Sequence, residues 1–273
     1  MGTYVDVASV RRTCGIKVAE INDVDVEATI AEVEKQVPRM FNTVFVPTER
    51  IEINDGDGTN RHLLEKNPVL AVREIKIDGE TEDPVNLEVY KESGFIFLGS
   101  GATSPTFANK KNSVVVKYLY GSVIHSDTIS TSSSEDEVAG TAISVAVSSS
   151  TDFTEDDWVE IFGMDGHREV AQVSTVATGI LTIDQFVETH EAGSTIVKLE
   201  IDINFTKLMN IVCGIALVAR IIGQSYSDNT GYTLGELHIQ KGEPYTQWRE
   251  AANQLIKERD QIMSRISIRP YII

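Results

Sequence analysis

The sequence contains few of the residues from which catalytic and metal sites are most often built. Only two cysteines occur in 273 residues, Cys14 and Cys213, and they stand far apart. This excludes a disulfide-rich scaffold and a zinc site made from cysteines. The five histidines occur singly, without the spacing of metal ligands. No G-x-S-x-G motif or phosphate-binding loop is present. We therefore expect no catalytic residues, no cofactor and no metal site.

Long apolar runs are also missing. The longest, residues 211–222, is about a dozen residues long and contains Arg220. A membrane-spanning helix needs about 20 apolar residues, so this run predicts a buried helix. The first residues lack the apolar stretch of a secretory signal peptide. We expect a soluble protein made inside the cell, with no membrane segment.

Basic residues are scarce, with 24 Lys and Arg against 41 Asp and Glu, a net charge of −17. So acidic a chain repels phosphate, which argues against wrapping nucleic acid. The charge is uneven: residues 124–202 hold 2 basic and 16 acidic side chains, whereas residues 1–123 sum to −5 and residues 203–273 to +2. This contrast predicts a discontinuous domain of residues 1–123 and 203–273, interrupted by an acidic insertion at 124–202. A Ser/Thr-rich linker at 126–134 is expected to lead into the insertion.

Hydrophobic periodicity predicts an α+β fold. Apolar residues at helical spacing predict a helix at 5–13, another from Asp23 or Asp25 that Pro38 breaks, and a long one from Tyr245. A further helix at 207–222 is expected, with Thr206 as its N-cap and Gly223 as its stop. Alternation predicts an antiparallel β meander at residues 44–46, 51–53, 62–64, 69–77, 87–89, 95–98 and 114–120. Five or six short strands within 124–202 predict a small all-β barrel or sandwich.

Three segments approach known functional motifs, and each departs from the motif. Gly99 to Ser104 has a serine in place of the third glycine of a dinucleotide loop, which favours a surface loop. Residues 54–60 precede Lys66, where a calcium loop needs glutamate, so a hairpin turn is expected. The acidic run 155–157 is typical of a solvated face. His190 is expected to pair with one of its acidic neighbours in sequence, Glu188 or Glu191.

The order of certain short segments resembles the head–tail connector proteins of tailed viruses. The first is Asp57-Gly58-Thr59, followed by a proline at Pro68 and the strand at residues 69–77 that ends in Asp78-Gly79. Gly94-Phe95-Ile96 and the strand at 114–121, which ends Tyr118-Leu119-Tyr120-Gly121, are similar to the next strands of that family. An apolar helix at 208–222 and the segment Tyr232-Thr233-Leu234-Gly235-Glu236 complete the series. The resemblance covers residues 1–123 and 203–273, and the insertion departs from it.

The resemblance implies a structural virion protein, not an enzyme. Such adaptors form rings, commonly of twelve copies, under the portal at a capsid vertex, where they extend the DNA channel and provide a platform for the tail. The implied location is the neck of the virion, after synthesis in the host cytoplasm. The implied partners are further copies of this chain, the portal protein, and tail or neck proteins. Viral DNA passes through without sequence-specific binding. The resemblance says nothing about the acidic insertion at 124–202, which we expect to project outward, where capsid, tail or solvent could meet it.

The C-terminal segment carries the aromatic and arginine side chains that are enriched at interface hot spots. By resemblance this segment docks on the portal. A second interpretation, equally open, is that Trp248 and Leu255 pack on the protein's own core. The docking candidates are Tyr245, Trp248, Arg249, Leu255, Arg265, Arg269 and Tyr271.

Other function classes remain as alternatives. One keeps the virion but makes the protein a tail terminator or a capsid-decorating protein. Another is a carbohydrate- or ligand-binding module that uses the β insertion, with Trp158 as the binding element. A hydrolase that uses the acidic clusters is disfavoured because no catalytic motif accompanies them.

Overall fold

The structure, a computed structural model, is a mixed α+β protein, which confirms the predicted class. It describes residues 2–164, 166–225, 231–234, 237–240 and 244–264, but not the side chains of 222–225, 231–234, 237–240 and 244–247. The helices are α1 (Val7–Cys14), α2 (Asp23–Glu34), α3 (Val37–Phe41), α4 (Ile203–Ser225) and α5 (Pro244–Met263). The strands are β1 (Thr48–Asn54), β2 (Arg61–Leu63), β3 (Val69–Ile77), β4 (Glu80–Glu82), β5 (Leu87–Tyr90), β6 (Phe95–Leu98), β7 (Val114–Tyr120), β8 (Ile124–Ser132), β9 (Gly140–Ala146), β10 (Trp158–Phe162), β11 (Arg168–Ala177), β12 (Ile180–Phe186), β13 (Thr195–Glu200), β14 (Gly231–Leu234) and β15 (Leu237–Gln240).

The chain forms two compact units. The helical unit combines Met1–Phe41 with Asp202–Ile273, and the β unit is Asn42–Ile201. The division at 201/202 lies one residue from the predicted end of the insertion. Residues 42–123, however, group with the insertion and not with the helices. The reason is a buried joint between the first strands and the insertion, which is described below.

In the helical unit, α4 packs against α1, α2 and α5. The start of α1 is a capping box, in which the Asp6 carboxylate accepts a hydrogen bond from the Ser9 amide at 2.8 Å. The cap of α2 is Asn22, whose side-chain oxygen accepts from the Asp25 amide at 2.9 Å. The predicted caps, Asp23 and Asp25, lie one and three residues too late, because both aspartates belong to the first turn of the helix.

The apolar helix α4 begins earlier and ends later than predicted. The Asp202 carboxylate, not Thr206, accepts from a first-turn amide, that of Asn204, at 2.7 Å, and the helix continues past Gly223. Its segment Ile203–Ile221 is long and apolar enough to cross a membrane by length and composition. Half of that segment is buried inside the protein, however, and a core helix passes the same test. Its packing against three helices agrees with the predicted buried helix.

A glycine allows α1 and α5 to approach α4 closely. A Cβ at Gly214 would lie 3.1 Å from Cys14 Cβ and 3.5 Å from Leu255 Cδ1. Cys14 and Cys213 are both buried free thiols. Burial raises the pKa of the Cys213 thiol to about 12, so this thiol is not a nucleophile at neutral pH.

The strands before the insertion form two antiparallel sheets, ordered β1-β7-β3-β4 and β2-β6-β5. The predicted simple meander is wrong, because β7 lies between β1 and β3. Its residues are buried or half-buried on both faces, which is typical of a central strand. The two sheets share one hydrophobic core, which includes Ile75, Ile96, Phe107 and Tyr118.

The insertion contributes β8 to β13, one six-stranded antiparallel sheet ordered β8-β13-β10-β11-β12-β9 around its own core. The first and last strands of this sheet meet just beyond their ends. There the Ser134 amide donates to the Ala146 carbonyl at 2.8 Å, and the Ser148 amide donates to the Ser132 carbonyl at 3.0 Å.

The predicted Ser/Thr linker at 126–134 is wrong, since most of it is strand β8. Ser126, Thr131 and Ser133 are buried, and the Thr131 and Ser148 hydroxyls hydrogen-bond at 3.0 Å. Hydroxyl groups with such partners can be buried, so a polar composition does not by itself indicate a solvated segment.

Three of the remaining strand predictions are confirmed with their bounds, and one is wrong. Residues 69–77, 95–98 and 114–120 are strands with the predicted bounds. Residues 44–46 form no strand, although Val44 and Phe45 are buried as their apolar character requires.

Candidate interaction surfaces

The predicted docking residues fall in different environments. Leu255 is 6% exposed and lies on the face of α5 that meets α4, so it packs within its own unit. Trp248 is half-buried and Arg249 exposed, and both therefore reach the surface. The side chain of Tyr245, in the first turn of α5, is not among the described side chains. Arg265, Arg269 and Tyr271 lie outside the described residues.

A cleft of about 470 Å³ opens in the helical unit where α3, α4 and the end of α5 converge. Met40 and Met263 at its edge are 48% and 45% exposed, and methionine adapts well to irregular partner surfaces. This surface suits an apolar side chain from a protein partner. Sequence analysis missed it because three helices contribute to it without a shared spacing. The lining consists of Met40, Phe41, Leu208, Met209, Val212, Arg259, Asp260 and Met263.

Within the β unit, an apolar cluster joins the first strands to the insertion. It buries Leu119 of β7, 2% exposed, against Val170 and Leu199 of the insertion. The insertion is therefore packed on the sheet and not tethered by a free linker. The half-buried side chains around this cluster are Leu70, Ala71, Val123 and Trp158.

A buried arginine strengthens this joint. The Arg73 side chain, 3% exposed, donates to the Gln185 carbonyl at 2.9 Å and lies 3.4 Å from the Asp184 carboxylate. It also lies 3.7 Å from the Glu169 carboxylate. The Arg73 and Glu169 side chains are both buried, so removing one leaves the charge of the other in the interior without its ionic partner. Arg73 therefore fixes β3 to β11 and β12.

Glu160 forms the second ionic contact of the joint. Its side chain is 7% exposed. Its carboxylate lies 3.0 Å from Arg168 Nε and 3.5 Å from Lys91 Nζ, and it accepts a hydrogen bond from His125 Nε2. Burial alone raises the pKa of the Glu160 carboxyl. The His125 hydrogen bond and the Lys91 and Arg168 charges outweigh burial and hold that pKa below its ordinary value.

His190, deep in the insertion, pairs differently from the prediction. It is 2% exposed, and its Nε2 pairs with Glu169 at 3.2 Å, whereas Glu188 pairs with His167. Its Nδ1 has no hydrogen-bond partner in the described part of the chain. Its backbone pairs with that of Glu137, whose pKa is raised by burial. The fold brings the side chains of His190 and Glu169, 21 positions apart, into contact, which sequence proximity does not reveal.

Trp158 is half-buried and packs against the Leu119 cluster. A ring engaged in this way is not presented as a flat platform for a sugar. The position therefore gives no support to the ligand-binding alternative.

The 54–60 loop, which resembles a calcium-binding loop, makes hydrogen bonds that stabilise the fold. In the 54–60 loop, the Asp57 carboxylate accepts from the Thr59 amide at 2.9 Å and from its hydroxyl at 2.7 Å, and Asp55 accepts from the Asn112 amide at 2.8 Å. The Thr59 contacts are local turn contacts, whereas Asn112 is 57 residues away in sequence. The predicted hairpin turn is wrong, because β1 pairs with β7 and β2 with β6, so this loop connects two sheets. Within the described ranges, no three His, Cys, Asp or Glu side chains are grouped so that they could hold a metal ion.

No family model matches the sequence, and no curated protein matches it.

Proposed function

We propose that this protein is a structural head–tail adaptor of a tailed virus and not an enzyme. It forms a ring under the portal, extends the DNA channel and offers the tail a docking platform. The observation that carries the proposal is the order of elements. Helices α1 to α3 precede the antiparallel strands β1 to β7, and after the insertion follow the apolar helix α4, the β14–β15 hairpin and the long helix α5. This order fits the connector-like series of segments.

The chemistry of the described residues supports a structural role. The charged side chains of Arg73, Glu160 and Glu169 are buried. Arg73 contacts Glu169 across the joint, and Glu160 contacts Lys91 across the joint and Arg168 within the insertion. A catalytic acid or base needs access to a substrate, which these side chains lack. Ionic contacts of this kind serve to hold one element on another.

In this proposal, the insertion at 124–202 is a small barrel that projects from the subunit in a fixed orientation. The hydrogen bonds that join the ends of β8 and β9 support the barrel, because they bring the two outer strands of the sheet together. The joint at Leu119, Arg73 and Glu160 supports a fixed orientation on the connector-like sheet. A fixed acidic arm suits a contact with capsid or tail, while an acidic channel wall lets DNA slide without adhering.

In this proposal the portal binds the helical unit, at α5 and at the cleft where α3, α4 and α5 converge. Exposed Arg249 and half-buried Trp248 supply the residue types of a hot spot, and the methionine-edged cleft supplies an apolar recess. The chain has two tryptophans, so each can be observed separately.

The test uses the full chain in two single-tryptophan variants, Trp158→Phe and Trp248→Phe, titrated with candidate portal rings. We expect the emission of Trp248 to shift to shorter wavelength as portal covers it, while Trp158 stays unchanged at its joint. No response of Trp248 to portal would contradict the proposal. A response of Trp158 to glycans would instead favour the ligand-binding alternative.

A further inference from the structure

In the edge strand β1, a polar residue is buried and the apolar residues beside it are exposed, the reverse of the usual arrangement. Glu52 is 5% exposed, whereas Ile51 and Ile53 on either side are 60% and 61% exposed. The buried Glu52 carboxylate is well satisfied: it accepts from the Tyr118 hydroxyl, from Arg50 Nε at 2.9 Å and from other donors. The orientation of β1 is therefore firmly set, and it directs two isoleucines outward.

The exposed isoleucines continue a surface that is already a packing interface. The register places Glu49 opposite Leu119, Ile51 opposite Lys117 and Ile53 opposite Val115. The Leu119 row is covered by the insertion. The next two rows on the same face are uncovered, and we call them the open rows. They consist of Ile51, Ile53, Glu74, Lys76, Val115 and Lys117.

The charges and dimensions of the open rows define the kind of partner. Lys117 pairs with Glu49 at 2.9 Å and Lys76 with Glu74 at 2.6 Å, so the charge is balanced in a chain of −17. A nucleic acid or an anionic lipid requires an excess of positive charge, which this surface lacks. The depression between the strands is only about 170 Å³, smaller than a typical small-molecule site. A protein surface with both charge signs fits it best.

The topology of the sheet indicates that the protein partner is a second copy of this chain. The sheet has β1 at one edge and β4 at the other, and all its strand pairs are antiparallel. Across four antiparallel strands, β1 and β4 run in opposite directions. A second copy placed beside the first by rotation therefore brings its β4 edge to β1 in the direction that an antiparallel ladder requires. Contacts of this head-to-tail kind can close into a ring.

We infer that the open rows and the β1 edge form the surface through which one copy of this chain contacts the next. The inference rests on the proposed ring and specifies its subunit interface. Ile51 and Ile53 supply the apolar centre, and the Lys117–Glu49 and Lys76–Glu74 pairs form its polar border, the arrangement found in protein interfaces.

The experiment measures the mass of the full chain by sedimentation equilibrium over a range of concentrations. We expect the wild type to self-associate and Ile53→Glu to weaken association about tenfold or more, as loss of a central interface residue does. The matched control is Ile180→Glu, an exposed strand isoleucine of the insertion, which leaves association unchanged. Circular dichroism verifies folding, and Ile53→Thr, which retains strand propensity, replaces a glutamate variant that does not fold.

The outcomes separate this inference from the adaptor proposal. A closed ring that Ile53→Glu leaves intact overturns the interface but supports the adaptor. A wild type that stays monomeric at every concentration also overturns the inference, and portal binding then decides the adaptor function alone. Equal weakening by Ile180→Glu overturns it too, because added negative charge would then account for the effect.

Discussion

Glu160 illustrates how a single acidic residue can serve the structure of a strongly acidic segment. It is buried in β10 and forms ion pairs or hydrogen bonds with three residues from different parts of the chain, His125, Lys91 and Arg168. Without these partners burial would favour its neutral form; with them it is ionised in the folded protein. Its pKa therefore couples the stability of the joint to pH.

We predict that Glu160→Gln destabilises the protein by about 2 kcal/mol at pH 7, the usual scale for breaking a buried charge-assisted contact. The folded-state pKa of Glu160 lies below its unfolded value, so its stabilisation is present above the unfolded pKa of about 4.3 and is lost as the pH falls through the folded pKa. Urea unfolding of both proteins at several pH values should show the difference shrinking in acid.

The matched control is Glu188→Gln, which breaks the more exposed pair with His167 and is expected to change stability by about 0.5 kcal/mol or less. A Glu160→Gln penalty that stays constant down to the lowest pH would contradict the assigned role of the carboxylate.

Sequence analysis could not find these contacts. The acidic run 155–157 is exposed or half-buried, as predicted for a solvated face, but the sequence did not indicate that Glu137, Glu160 and Glu169 elsewhere in the same segment are buried. Lys91 and Glu160 are 69 residues apart, and only the folded sheet brings them together.

The helices depend on packing that the hydrophobic pattern indicates only in part. The pattern located α4, but the close approach of α1 and α5 depends on one small residue, Gly214. Likewise, alternation located β3, β6 and β7 because each buries one face or both, whereas β8 was missed because it buries serine and threonine. The sheet order was not predicted either, since nothing local places β7 between β1 and β3.

We predict that Gly214→Val lowers the free energy of unfolding by about 1–3 kcal/mol, the usual cost of overpacking a core. The new Cβ would contact Cys14 Cβ at 3.1 Å, and Cys14 sits on a helix that cannot move without losing its own contacts. Thermal unfolding followed by helical circular dichroism measures the change.

An exposed position of the same helix provides the comparison. Ala219→Val should cost only the difference in helix propensity, about 0.6 kcal/mol. Equal losses at positions 214 and 219 would show that crowding at α1 is not the cause.

As a whole molecule, the protein consists of a helical unit formed from both flanks of the chain and a β unit in which the insertion packs on the strands of residues 42–123. The charge contrast predicted a separate segment at 124–202, and residues 124–200 contribute one six-stranded sheet to the β unit. It did not reveal that this segment shares a buried joint with residues 42–123, because the joint depends on Leu119, Arg73 and Glu160, and their partners are distant in sequence. In the proposed adaptor, this joint makes the acidic insertion a rigid part of the subunit.

The most direct test of the adaptor function is the mass of the purified full chain by light scattering, measured alone and mixed with candidate portal rings. We predict either a closed ring of about a dozen copies or a monomer that portal recruits into a larger complex. A monomer whose mass does not change when portal is added would contradict the adaptor function.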